Sequence, residues 1–291
     1  MGDVLAIDLG NSEVKFGLVD AGISGSDVQG GASAPTLRAE AHVPTDRVRT
    51  LRSGADLVAA AGLGTLVAGL PPVALGSVVS WAGARIAALM TDLGCAVYPV
   101  TSLGFTASEG FGFRIDYEHG EPGVDRVAAC AEAFARSGGP LILVGAGTAL
   151  HTNVVTADGV YLGGAIMPGL RLMSAALGGG TDQVRSVEPR EPRRVIGHST
   201  PECAEIGIYY AWLGGALRLV EATRDELARE HGGGEPFVWL TGGHSTWLLP
   251  FLPGAQADPH LALFGLARAF ARTREAGDEG SPSAPEGAQR A

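Results

Sequence analysis

Asp8 closes the apolar run Val4-Leu5-Ala6-Ile7 and stands just ahead of the turn Gly10-Asn11-Ser12, with a second apolar run, Val14 to Val19, behind it. Backbone N–H groups of a tight turn form an anion site, and a carboxylate at the strand end can hold hydrated Mg²⁺ against phosphate oxygens. Taken alone, the same residues also describe an ordinary polar hairpin. Three more glycine turns follow apolar runs: Gly145-Ala146-Gly147-Thr148, Gly163-Gly164-Ala165 and Thr241-Gly242-Gly243. Their recurrence points to phosphate chemistry. A P-loop is excluded, because Lys15 is the only lysine and lies in Glu13-Val14-Lys15-Phe16 rather than after a glycine loop.

These turns need strands to carry them. Val4 to Val19 reads as a hairpin and Thr36 to Val43 as a third strand. Residues 54–69 are helical in composition, Val73 to Val79 is a strand, Trp81 to Leu93 a helix and Cys95 to Val100 a strand. The order predicts an α/β fold with a mixed sheet and helical cover. At Pro140 the plan restarts: an apolar strand enters Gly147-Thr148, and the β-branched run Thr152 to Thr156 follows. Setting Gly10-Asn11 on Gly147-Thr148 aligns the two units without a gap, which predicts duplicated domains with a cleft between them. The same register puts Gly145 opposite Asp8, so the second copy lacks the carboxylate of the first. A helix is expected over residues 202–230, stopped by His231 and three glycines, then a strand over Phe237 to Leu240. The domains expected are residues 1–115 and 116–272, with a disordered tail over 273–291.

Composition narrows the partners. The 291 residues carry 21 basic and 31 acidic side chains, net −10, which disfavours nucleic acid and anionic membrane as extended partners. Cys95, Cys130 and Cys203 are odd in number and widely spaced, so neither a disulfide framework nor a zinc site is indicated. No apolar run is long enough to span a membrane, and Met1 leads straight into a strand; the expectation is a cytoplasmic protein.

In order along the chain, Asp8-Leu9-Gly10-Asn11-Ser12, Gly123-Val124-Asp125-Arg126, Gly147-Thr148-Ala149, Gly163 to Gly169, Ile196 to Thr200 and Thr241-Gly242-Gly243 resemble the motif series of type III pantothenate kinases. The resemblance covers residues 3–272. It implies duplicated ribonuclease-H-like domains of the actin-like ATPase superfamily. It also implies ATP-dependent phosphorylation of pantothenate to 4′-phosphopantothenate, opening coenzyme A synthesis, in a homodimer using Mg²⁺ and a monovalent cation, K⁺ or NH₄⁺. Carried over, Asp125 is the general base and Arg126 contacts pantothenate or the transferred phosphoryl group. Asp8 is the Mg²⁺-associated carboxylate. Gly10, Asn11, Ser12, Gly147, Thr148, Gly242 and Gly243 form the ATP and phosphate turns, while Tyr117, Gly123 and Thr200 contact pantothenate, Thr200 reaching toward the partner subunit. That division of labour suits phosphoryl transfer, which is mostly positioning and charge neutralisation.

Three positions depart from the pattern. Gly145 stands where the family has the aspartate associated with the monovalent cation, Ala129 where it has asparagine, and His244 where it has aspartate. They motivate an alternative: a catalytically impaired homologue with a binding or regulatory role. A dinucleotide-binding reading of Val144-Gly145-Ala146-Gly147 would need a helix where Thr152 to Thr156 is β-branched. His119, His151, His198 and His244 show no helical metal-site spacing and are expected in polar loops or as hydrogen-bonded core histidines, with His244 near enough to its turn to touch a nucleotide.

Overall fold

A computed structural model of the chain describes residues 2–20, 35–106 and 113–279. Strands β1 (Val4–Leu9), β2 (Glu13–Val19) and β3 (Leu37–Pro44) form an antiparallel meander. After α1 (Gly54–Ala61), β4 (Val73–Ser77) returns parallel to β1. After α2 (Ser80–Asp92), β5 (Val97–Val100) pairs parallel to β4, giving the order β3-β2-β1-β4-β5.

The chain enters the second sheet at β6 (Arg114–Ile115), just ahead of the expected boundary after residue 115. Helix α3 (Val124–Ser137) leads to β7 (Leu141–Ala146), β8 (Ala149–Val155) and β9 (Val160–Gly163). Next come β10 (Ile166–Pro168), α4 (Leu170–Gly179) and the long α5 (Thr200–Glu230). β11 (Phe237–Thr241), α6 (Ser245–Leu248), β12 (Gln256–Ala257) and α7 (Leu261–Glu279) complete the order. The path β9-β8-β7-β11-β12 repeats the first sheet's order and strand directions. The chain therefore has the duplicated ribonuclease-H-like α/β fold expected. One detail differs. Leu9 pairs with Val14 but Ala146 pairs with Leu150, so the second turn is one residue shorter and the copies align without a gap only up to it. Because β7 and β8 are an antiparallel hairpin, no dinucleotide-binding strand–turn–helix exists there.

Strand alternation assigns the layers. Leu5, Ile7 and Leu9 pack with α1 and α2, while Val4 and Ala6 face a layer formed by α3 and α7. On β7, Leu141 and Leu143 face that same layer, and Ile142, Val144 and Ala146 face α5. Helices α3 and α7 thus lie between the sheets. Glu132 on α3 is fully buried and accepts from Arg268 Nε at 2.8 Å and Arg136 Nε at 2.7 Å, tying the two helices together. α7 continues to Glu279, into the segment expected as tail, and residues 280–291 lie outside the described ones.

Candidate active site

The alternation that buries Val4 and Ala6 also turns Asp8 toward α3, and the one that buries Leu141 and Leu143 turns Gly145 the same way. Asp125 and Arg126 sit in the first turn of α3, where the unpaired N–H groups and the helix dipole favour negative charge. Gly123 caps this helix. A Cβ there would lie 2.6 Å from Asp125 Oδ1 and 3.3 Å from Val78, so glycine leaves the carboxylate its room.

Asp8 feels Asp125 directly. Burial first, then the negative charge of Asp125, push the Asp8 carboxyl up to about 6, while Lys15 opposes the shift. Lys15 is the cross-strand partner of Asp8 on β2. The two glycine turns meet across the cleft, with Ser12 Oγ and Thr148 Oγ1 2.7 Å apart. Thr45, itself buried, fixes the first turn: its hydroxyl donates to the Gly10 carbonyl at 2.7 Å and its N–H to the Ser12 carbonyl at 3.0 Å. Asn11 and Ser12 are exposed at the turn's tip.

Gly242 follows β11 with φ +87°, a left-handed conformation open to glycine, and a Cβ there would lie 2.7 Å from the Ala146 carbonyl oxygen. This close approach brings the Thr241-Gly242-Gly243 turn onto the end of β7. The His244 N–H donates to the Ala146 carbonyl at 3.0 Å, and its ring meets Trp247 edge-on at 5.0 Å. Burial, then the nearby Arg171, lower its pKa, favouring a neutral imidazole.

Around Arg126 lies a polar chain that sequence reading missed. Tyr161 donates its hydroxyl to Asn153 Oδ1 at 2.9 Å, and Arg126 Nη1 makes a longer contact of 3.4 Å with the same oxygen. Asn153 Nδ2 donates to His151 Nδ1 at 2.7 Å. Asn153 is fully buried within β8, and the polar residue inside an otherwise β-branched run was the one available signal. Tyr117 is exposed, with its ring 6.4 Å from that of Tyr161 and packed over Gly163. Tyr161 in turn links this ring to the polar chain around Arg126. Thr200 is elsewhere, exposed on the first turn of α5 beside the exposed Ile196. Ala129, by contrast, is a buried packing residue of α3.

Topology and cleft define an actin-like fold: two copies of one sheet, two facing glycine turns, and a helix start bearing Asp125 and Arg126. The crystal structure of a conserved Baf family protein from Campylobacter jejuni has the same fold, with a TM-score of 0.54 at 14% identity over 94% of this chain and 99% of that one. The type III pantothenate kinase family model matches residues 4–222, and the chain belongs to that family. A type III pantothenate kinase of Mycobacterium avium is 38% identical over 157 residues, 54% of this chain and 58% of the relative. The chain thus matches little more than half the length of such relatives. One from Chlorobaculum tepidum is 36% identical over 193 residues, 66% of this chain and 70% of the relative.

Proposed function

We propose that this protein phosphorylates pantothenate to 4′-phosphopantothenate at the expense of ATP. The observation that carries this reading is the juxtaposition of Asp125 with Asp8 at the meeting of the two glycine turns. Phosphoryl transfer asks for a base at the acceptor hydroxyl and for charge neutralisation at the phosphates, and the two carboxylates divide these tasks. Asp125 orients the acceptor hydroxyl and receives its proton. Arg126, braced by Asn153, neutralises charge on the transferred group. The turns at Gly10-Asn11-Ser12 and Gly147-Thr148 offer N–H and hydroxyl donors to the ATP phosphates, and the turn at Gly242-Gly243 lies toward the nucleoside. Gly123 and Tyr117 complete the pantothenate side within the chain, and Thr200 reaches the site of the second subunit.

Among the described residues no group of three or more His, Cys, Asp or Glu side chains gathers to hold a metal ion. A single carboxylate with an adjacent phosphate turn does suit Mg²⁺ carried in on ATP. Asp8 would hold it, and the ion supplies neutralisation of phosphate charge. Asp8, repelled by Asp125 and Glu13 and only partly offset by Lys15, fits that dication. A cytoplasmic location is part of this proposal; no described helix is long and apolar enough to cross a membrane. Exposed Ile196 and Thr200 offer a surface for the second subunit of a homodimer.

The test is product formation from pantothenate and MgATP by the purified chain and by Asp125→Asn. The variant is expected to lose about 10²–10⁴-fold in kcat while still binding ATP. Wild-type-like turnover in the variant would refute the role of Asp125.

A further inference from the structure

Gly145 on β7 and His151 on β8 are directly opposed. A Cβ on Gly145 would lie 2.1 Å from both Cε1 and Nε2 of His151, so the imidazole occupies the place where a side chain at 145 would begin. This is the position at which the family resemblance calls for a cation-associated aspartate, and the residues present do not fit that ion. Gly145 brings no side-chain donor, and the volume in front of it is filled by the ring.

The ring offers no lone pair in exchange. Asn153 Oδ1 is the acceptor for Tyr161 and Arg126, which fixes the amide with Nδ2 toward His151. Nδ2 can only donate, so His151 Nδ1 accepts at 2.7 Å and the proton of the neutral ring resides on Nε2. Nε2–H over Gly145 is a hydrogen-bond donor and cannot ligate a metal ion.

We propose that this chain has replaced the monovalent-cation subsite with His151, a positioning residue whose ring fills the space over Gly145 and, through Asn153, braces Arg126 beside Asp125. The site then runs without K⁺ or NH₄⁺. The idea rests on the pantothenate kinase reading, since that reaction is the one whose ion dependence is at issue.

Phosphorylation of pantothenate by the full chain, with MgATP, is compared in choline, sodium, potassium and ammonium chlorides at equal ionic strength. Rates are expected to agree within about twofold, whereas activation of about tenfold or more by K⁺ or NH₄⁺ would overturn the proposal, since a site-bound cation supplies barrier lowering of that size. His151→Ala is expected to lower kcat by about tenfold with little change in the KM for ATP; an unchanged kcat would remove His151 from the positioning role. A two-bond ¹H–¹⁵N spectrum of the same protein reads the tautomer directly. The Nε2–H form is expected, and an Nδ1–H ring would overturn the proposal. If no salt yields product, the proposed reaction has failed, and the tautomer still decides whether His151 is held as described.

Discussion

At matching places in the two sheets, β1 carries Asp8 opposite Lys15 and β7 carries Gly145 opposite His151. Both pairs lead into a glycine turn, both face the layer that contains α3, and both sit near Asp125. The first pair is built from charge, because Lys15 offsets the repulsion that Asp125 exerts on Asp8. The second is built from shape: a missing side chain on one strand receives a ring from the other. Duplication supplied two glycine turns at matching places, and only the first has a carboxylate at the strand end behind it. The comparison teaches that the repeat fixes the backbone of the cleft, and that the pair one step behind each turn decides what chemistry its half contributes.

Asp8→Asn tests this contrast most severely, because it leaves both turns without a carboxylate. Removing a preorganised charge partner at a phosphate site is expected to lower kcat about 10²–10³-fold, with the fold intact by circular dichroism. A loss below about tenfold would mean that the charged pair contributes no more to the reaction than the uncharged one.

Gly145→Ala attacks the other half. The new methyl meets the His151 ring, and overpacking of this kind destabilises by about 1–3 kcal/mol, read from urea unfolding. Adding His151→Ala removes the obstruction, so the double variant should be more stable than the sum of the singles by at least about 1 kcal/mol. Additive values would show that the ring does not depend on the glycine.

Most of this architecture was legible in the sequence because strand alternation and glycine turns are local signals. The hairpin at Asp8, the strands at Val73 and Pro140 and the helix over 202–230 all fall within a few residues of the observed elements. The strand-end carboxylate gave Asp8, the family resemblance gave Asp125 and Arg126, and the fold brings them to one cleft. The partners that position them were hidden, because cross-strand and inter-sheet contacts leave no spacing rule. Thr45 reaches Gly10 across 35 positions, and Lys15 meets Asp8 only through the register of the hairpin. His151 was expected in a polar loop or as a hydrogen-bonded core residue; it is hydrogen-bonded, but at the cleft, where the vacancy at Gly145 receives it. The extent of α7 was missed for a different reason. Past Arg272 its composition is that of a tail, while upstream Leu263 and Leu266 pack against Gly17 and Gly76 of the first sheet, anchoring the helix.

The smallest expected effect separates the two pairs by the sign of their pH dependence. Asp8 titrates at about 6 instead of its ordinary 3.8, so its contribution to stability is whole below pH 3.8 and is lost as the pH rises through 6. His151 is lowered from 6.5 to about 4, mainly by burial and further by Arg126, with Asp125 opposing. Its contribution is whole above pH 6.5 and is lost as the pH falls through 4. Each pKa unit corresponds to about 1.4 kcal/mol, but both side chains keep some contact with solvent, which reduces either effect to about 1 kcal/mol. Urea midpoints measured in EDTA between pH 4 and 8 resolve them. Relative to wild type, Asp8→Asn should gain stability as the pH rises from 4 to 7, and His151→Ala should gain as it falls over the same range. Curves that stay parallel to wild type would mean that neither pair resists charging, and that charge and shape do not distinguish the two halves. Mg²⁺ and ATP sharpen the contrast, because a dication favours the ionised carboxylate: their addition should stabilise wild type most above pH 6, and Asp8→Asn, which keeps the glycine turns but not the charge, less and without that pH dependence.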